Sequence, residues 1–354
     1  MNPFFQFLIR RLFFALASLI VVTMVLYGGV MLAPPEARAQ LYIPKGKGGE
    51  RVSENYIASI IKTHHLDEPY LVQYGYWVRS LLKGTWGYSP TLGENVLDAL
   101  LRRTPPTLEL TLYSLLVFVP LGLAGGLIAG WRPRSGFDRV FRSLAYVSAS
   151  MPPFILSLLL LSLFYVRLNW FAPGRLDILL ELNMARDGYR AYTNLLTIDS
   201  LLNGRFDIFW NALRHLAMPV MTLVIFHWAT LGRITRAMVI GERRKEYLIA
   251  AKGRGISERK VIWKHALRSI LAPSLTGIAL SAASIVTGVM VVEVIFSIHG
   301  VSFVIVQAMS SQPDAPAALG FAVYSVIMVI ALMFFLDALQ ALFDPRVREE
   351  VLKS

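Results

Sequence analysis

Six uncharged apolar runs set the rhythm of the chain, at residues 12–33, 110–131, 143–166, 216–232, 269–292 and 315–336. The first has 22 residues, enough to cross a hydrocarbon core of about 30 Å at a rise of about 1.5 Å per residue. It is also longer than the apolar core of a cleaved leader peptide, and is read as a retained span. The fourth run is the shortest. It reaches full length if it starts near Ala212 or if Arg233 and Arg236 snorkel to the interface. Pro120 and the pair Gly125–Gly126 kink or thin the second run. In the third, Met151 is followed by Pro152 and Pro153, which should break the helix because each proline lacks a donor and crowds the preceding turn.

Between these runs the polarity changes sharply. Residues 34–106 and 167–214 carry charges of both signs and are predicted to lie outside. A Gly/Lys linker occupies 45–50. Helical spacing of Leu71, Tyr74, Trp77, Val78, Leu81 and Leu82 predicts an amphipathic helix packing a small external cap between the first two spans. Residues 294–313, uncharged but containing His299, Gly300, Ser310, Ser311 and Gln312, read as an external or re-entrant segment.

Composition agrees with a membrane protein: 55% of the 354 residues are hydrophobic and only 16% charged. The net charge of +12 sits beside the apolar runs, where it anchors loops on the inner side of a membrane, and so does not point to nucleic acid. Between Arg233 and Arg268 there are eleven Lys/Arg against three Glu, the strongest inside signal in the chain. The alternation predicts an all-α membrane protein with six transmembrane helices and both termini cytoplasmic.

Little in the sequence supports catalysis. Zero cysteines exclude disulfides, iron–sulfur clusters and thiolate zinc. Lys45-Gly46-Lys47-Gly48-Gly49 lacks the spacing of a phosphate-binding loop, and no G-x-S-x-G is present. His64 and His65 are adjacent, which suits a metal less than an i, i+4 pair. No catalytic residue, metal site or cofactor is assigned to this chain.

The stretch EYLIAAKGRGISERKVIWKHALRSILAP, starting at Glu246, carries the most local information. A short helix is followed by Gly253 and Gly255, which supply the freedom for a reversal. Ser257 is placed as an N-cap, with Glu258 in the first turn of a second helix. Lys260, Lys264 and Arg268 share one face of that helix, and Val261, Ile262, Ala266 and Ile270 another. On chemistry alone this amphipathic elbow fits either a protein-docking element or a basic loop against lipid head groups. Among isolated residues, Glu293 lies in an apolar context, where it lines a pathway or interface or else reaches water at the membrane surface. His227 is functional or hydrogen-bonded within the bundle, and Pro152–Pro153 shape a pathway or make a structural kink.

The elbow resembles the EAA loop of ABC-importer permeases. Ile249-Ala250-Ala251 and then Gly255 stand where that family has Glu-Ala-Ala, three residues and Gly. Ile249 replaces the glutamate, and proline follows only at Pro273; both departures resemble the dipeptide/oligopeptide branch. Other stretches are similar to the same branch. They are Leu66-Asp67-Glu68-Pro69 with Gln73-Tyr74 and Gly84-Thr85-Trp86-Gly87, the approach Arg103 to Leu110, the V-E-x-x-F segment from Val292 with Ser302 in place of a second glycine, and Leu342-Phe343-Asp344-Pro345-Arg346.

The resemblance implies a type I ABC importer permease fold: a B-type transmembrane subunit that is not itself an enzyme. Its divisions are 1–33 (cytoplasmic N-terminus and first span), 34–106 (external), 107–345 (five-helix core with a coupling helix at 246–268) and 346–354 (cytoplasmic tail). Implied partners are a second homologous permease, two ATP-binding subunits that carry ATP and Mg, an extracytoplasmic substrate-binding protein and the lipid bilayer. Glu246, Ile249, Ala250, Ala251, Gly253 and Gly255 would couple to the ATPase. Peptides are the expected cargo, with nickel chelates or oligosaccharides handled by the same machinery. An ion-coupled secondary transporter, using Glu293, His227 and Asp337, is the reading from a different class.

Overall fold

The computed structural model describes residues 3–39, 54–186, 188–310 and 314–343. The linker at 45–50, residues 311–313 and the tail from Asp344 onward, including Pro345 and Arg346, lie outside the described residues, as do the side chains of Lys264 and Arg268. In chain order the elements are α1 (Pro3–Val30), α2 (Pro35–Ala39), α3 (Glu54–Thr63) and α4 (Tyr70–Leu82), then an antiparallel pair of two-residue strands, β1 (Tyr88–Ser89) and β2 (Glu94–Asn95). After these come α5 (Val96–Trp131), α6 (Gly136–Ser150), α7 (Pro153–Leu160) with a π-helical continuation over Leu161–Arg167, α8 (Ile178–Arg186), α9 (Leu196–Leu202) and α10 (Phe206–Glu242). The last are α11 (Glu246–Gly253), α12 (Glu258–Lys260), a π-helical stretch over Val261–Ala266, α13 (Leu267–Ile295), α14 (Ser302–Ser310) and α15 (Ala315–Phe343).

The protein is an all-helical membrane protein. Among the described residues four helices are long and apolar enough to cross a bilayer: Phe4–Val30, Val96–Trp131, Phe206–Glu242 and Ala315–Ala341. Two bent pairs raise the number to six if each is one span, Gly136–Ser150 with Pro153–Arg167 at 99° and Gly277–Val286 with Gly288–Ile295 at 44°. Every predicted run falls in one of these, but the boundaries differ. α5 begins at Val96, well before residue 110, and takes in Pro105 and Pro106. In the turn ahead of them, Arg103 donates to the Ala99 carbonyl and Thr104 to that of Leu100. α6 starts at Gly136, ahead of the run at residue 143, so Arg139 and Arg142 are helical. Ser135 caps it by accepting from the Asp138 amide at 3.2 Å. α10 spans 37 residues because it starts at Phe206 and runs past Arg236, which pairs with Asp138 and does not need to snorkel.

The predicted break is present: Met151 and Pro152 are extended, and α7 starts with Pro153 at its first position.

Two compact units are distinguished. One comprises Arg10–Thr104 and Val301–Ile330. Its core is Val96, Ala99, Leu100, Val301, Val304, Ala308 and Ala317. Asp314 binds the strand turn to the start of α15: it accepts from the Ser89 and Thr91 hydroxyls, both at 2.7 Å, and from the Ala317 amide at 3.1 Å. These donors outweigh burial and hold its carboxyl below the ordinary range. α4 packs through Tyr74 and Trp77 onto Tyr27 of α1, whose ring stacks on Trp77 at 4.9 Å. Leu71 and Leu82, expected to pack the cap, are exposed instead.

The other unit comprises Met1–Ile9, Pro105–Gly300 and Ala331–Ser354. Leu110, Phe118, Leu223, Leu231, Ile285 and Val292 form the centre of its core. α5 and α10 come together on a glycine stripe. A Cβ on Gly126 would lie 2.5 Å from the Gly232 carbonyl oxygen and 2.7 Å from Thr235, and one on Gly130 would lie 2.7 Å from both Arg236 and Val239. Phe141 of α6 fills the space beside Gly125 and Gly232. Such close approach is how helices associate where burial from water supplies no drive.

Alanine at most helical glycines stabilises by about 0.5–1 kcal/mol, and Gly241→Ala, with nothing within 4 Å, should raise the thermal midpoint of the detergent-solubilised protein. Gly126→Ala is expected to do the reverse, by about 1–3 kcal/mol of overpacking. Equal midpoints for the two variants would contradict the close α5–α10 contact.

Candidate functional site

The elbow is assembled from the end of α10, α11 and the start of the following helix. α10 stops at Glu242, whose carboxylate accepts from the Tyr247 hydroxyl at 2.6 Å and pairs with Lys245 at 2.7 Å. The Tyr247 hydroxyl also reaches Ser269 Oγ at 3.2 Å. Burial and donation to Glu242 raise the Tyr247 pKa, so the hydroxyl keeps its proton and this staple across the elbow persists through neutral pH.

α11 runs to Gly253, and the reversal is made at Gly255, whose φ of +76° a residue with a Cβ adopts only with strain. The expectation of two turn glycines is corrected here: Gly253 is the last residue of α11, without positive φ. Ser257 takes the extended N-cap conformation, but its side chain makes no capping bond.

Glu258 does more than complement a helix end. Its Oε1 accepts from Trp131 Nε1 at 2.7 Å and its Oε2 from Arg132 at 3.3 Å. The Trp131 bond, set against desolvation and aided by Arg132, holds its carboxyl below the ordinary glutamate range. Lys252 from α11 lies 4.9 Å over the Trp131 ring. Trp131 and Arg132, the final residue of α5 and the one after it, therefore grip both arms of the elbow. The sequence pattern placed them only as the end of a span; a tryptophan and an arginine at a span boundary are the signal that could have marked them.

Beneath the elbow Leu248, Ala251, Val261, Ala266 and Ile270 are buried together with Leu127, Trp131 and Val239. The predicted apolar face is thus the inner one. The outer one carries Glu246, Ala250, Gly253 and Gly255, all exposed, and Ile249, which is 59% exposed. Ala251 is separated from these neighbours: it belongs to the inner cluster at 8% exposure. Ile249 is thus an exposed aliphatic side chain on a helix braced from beneath.

Glu293, His227 and Pro152–Pro153 stand on α13, α10 and at the start of α7. Glu293 is 1% exposed, accepts from the Thr107 hydroxyl of α5, and lies against Gly300, where any Cβ would collide with it. It is a buried tie between α13 and α5, closed off from solvent within the chain. His227 is buried, with Phe118 and Phe226 ring centroids at 5.7 and 5.1 Å. Among the described residues no group of three or more His, Cys, Asp or Glu could hold a metal ion.

A hydrogen bond to a charged acceptor contributes about 1.5–3 kcal/mol when buried. The Glu258 side chain is 48% exposed, and solvent screening lowers this to about 1 kcal/mol or less. Because the folded pKa is depressed, this stabilisation is present above the unfolded value and is lost as pH falls through the folded one. Hydrogen exchange over 254–262, corrected for intrinsic rate, should quicken on acidification through that window. Trp131→Phe should start faster at pH 7 and gain less; identical pH profiles would remove Glu258 from the clamp.

The sequence was compared with known proteins. A family model described as binding-protein-dependent transport system inner membrane component matches residues 122–349. A dipeptide transport system permease protein from Alkalihalophilus pseudofirmus is 30% identical over 345 residues, covering 96% of this chain and 98% of the relative. A di/tripeptide transport system permease protein from Pseudomonas aeruginosa is 31% identical, covering 98% and 99%, and an oligopeptide transport system permease protein from Bacillus subtilis is 27% identical, covering 96% and 98%. With several membrane-crossing helices and a family match over most of its length, the chain belongs to the inner membrane components of binding-protein-dependent transport systems.

Proposed function

We propose that this chain is the channel-forming subunit of an ATP-driven importer of di- and oligopeptides. It would stand beside a second homologous permease, two ATP-binding subunits holding ATP and Mg, and an extracytoplasmic binding protein. The peptide cargo is supported by what the relatives are named to transport. The observation that carries the coupling role is the two-sidedness of the elbow: an exposed contact face of Glu246, Ile249, Ala250, Gly253 and Gly255 on one side, an inner face locked to α5 on the other.

Motion of a subunit bound to the outer face is then conveyed through Glu258, Trp131 and Lys252 to α5, and through α13 to the rest of the bundle. Bundle rocking of this kind opens one side of a central path and closes the other. The eleven Lys/Arg between Arg233 and Arg268 support a cytoplasmic elbow by the positive-inside rule, and six crossings would then leave both termini on the same side. They also favour an acidic docking surface. Residues 34–106 then face the binding protein, residues 107–345 form the permease core, and 346–354 is a cytoplasmic tail. Glu293, His227 and Pro152–Pro153 belong in this reading to the helix ties and bend that the rocking works against. The chemistry of ATP hydrolysis stays on the partner subunits.

Ile249→Asp is expected to leave folding and membrane insertion intact, since the side chain is exposed, while lowering peptide uptake by the assembled system at least tenfold with residual ATP hydrolysis retained. Ala251→Glu, which places a charge in the inner cluster, should lower the thermal midpoint as well. Wild-type uptake by Ile249→Asp would refute the docking face.

A further inference from the structure

Within the unit of Arg10–Thr104 and Val301–Ile330 lies a cavity of 880 Å³. That volume is within the range of small-molecule sites, about 300–1,000 Å³. Its walls include Tyr27, Tyr76, Trp77 and Trp86, and also Arg38. No Asp or Glu is among its lining residues.

Arg38 is the informative member. It is 5% exposed. Its guanidinium donates to Gln73 Oε1 at 2.6 Å, to the Leu66 carbonyl at 2.9 Å and to Met31 Sδ at 2.9 Å, and its Nε has no hydrogen-bond partner. All three acceptors are neutral. Among the described residues no carboxylate pairs with it. A buried cation without a counter-charge is costly, and a purely structural tie between Leu66 and Gln73 would be made more cheaply by a neutral donor. His64 and His65 also line the cavity, with His65 stacked on Tyr76 at 4.4 Å. A wall of aromatic faces with one uncompensated cation is complementary to a molecule with an apolar body and a single negative head.

We propose that this cavity binds a small amphipathic organic anion, with Arg38 supplying the counter-charge to its carboxylate or phosphate head and Tyr27, Tyr76 and Trp77 holding its apolar body. The site shares no residue with the elbow and does not depend on the import reading. The two sources of such an anion, a soluble carboxylate and a lipid head group, share the same chemistry at Arg38.

The test uses the full chain in nanodiscs of neutral phosphatidylcholine, with radiolabelled N-acetyl-phenylalanine as the anionic probe and N-acetyl-phenylalanine amide as its neutral counterpart. The acid is expected to bind saturably and at least tenfold more tightly than the amide. Arg38→Gln should remove that preference without changing amide binding, an effect that a merely structural arginine would not have. Val30→Glu, which leaves Arg38 in place and adds a negative charge at the cavity wall, should weaken the acid at least tenfold and serves where Arg38→Gln does not fold. Phosphatidylglycerol in the nanodisc separates the sources: competition with the probe supports the site and assigns it to a lipid head group, and undiminished probe binding supports it and assigns it to a soluble anion. Absence of saturable acid binding, equal affinity for acid and amide, or unchanged acid binding in both variants overturns the proposal.

Discussion

The approach of α5 to α10 on Gly122, Gly126 and Gly130 is the contact from which the rest of the larger unit follows. With the Gly232 and Arg236 carbonyls and the Leu231, Thr235 and Val239 side chains pressed directly onto these glycines, the two helices have few ways to slide. Phe141 wedges α6 into the same junction, and Asp138 of α6 holds Arg236 of α10 in two hydrogen bonds while accepting from the Arg134 amide. The consequence is felt at the end of α5. Trp131 and Arg132, which directly follow Gly130, are delivered to one place, and the elbow is built onto them. Had α5 and α10 been separated by ordinary side chains, Glu258 would have no fixed partner to reach.

Two kinds of attachment then give the elbow its character. Apolar residues bury its inner face, and three polar contacts, Trp131 to Glu258, Lys252 over Trp131 and Tyr247 to Glu242, fix its orientation. The outer face has no such partner within the chain's described residues. A segment held rigidly on one side and bare on the other transmits displacement instead of absorbing it. Further back along α5, Glu109 plays a comparable part: it is buried, paired with Arg175 at 2.8 Å, and accepts from the Thr197 amide and hydroxyl. Asp177 nearby is held below the ordinary range by Asn211 first and by His215 as well. The connection between the spans is thereby tied to the bundle and does not hang free.

Much of this was legible in the sequence, for a physical reason. Charge-free runs must lie in the membrane, so the existence of the spans could be read directly, whereas their ends could not. Charged or polar residues at the ends of α6 and α10 are helical because Ser135 caps one and Asp138 pairs with Arg236 in the other, and no periodicity reports a cap or an ion pair between distant residues. The elbow was readable because its turn needs a glycine, yet only Gly255 has the positive φ. The inward setting of Ala251 depends on Val261 and Trp131 lying beneath it. Glu293 eluded sequence reasoning for the same cause: its donor, Thr107, is 186 residues away. Leu71 and Leu82 have helical spacing, but spacing names a face and not what covers it.

The account rests on the outer face of α11 meeting an ATP-hydrolysing subunit. The natural chain has no cysteine, so a single cysteine at Ile249 reports one position without background. Disulfide trapping between Ile249→Cys and cysteines scanned across the ATPase surface, in membranes of the assembled transporter, is the direct measurement. The account predicts a cross-link at one acidic groove, with a yield that changes when nucleotide is added. Cysteine 249 labelled by an impermeant reagent from outside intact cells, or no cross-link in any nucleotide state, would contradict it.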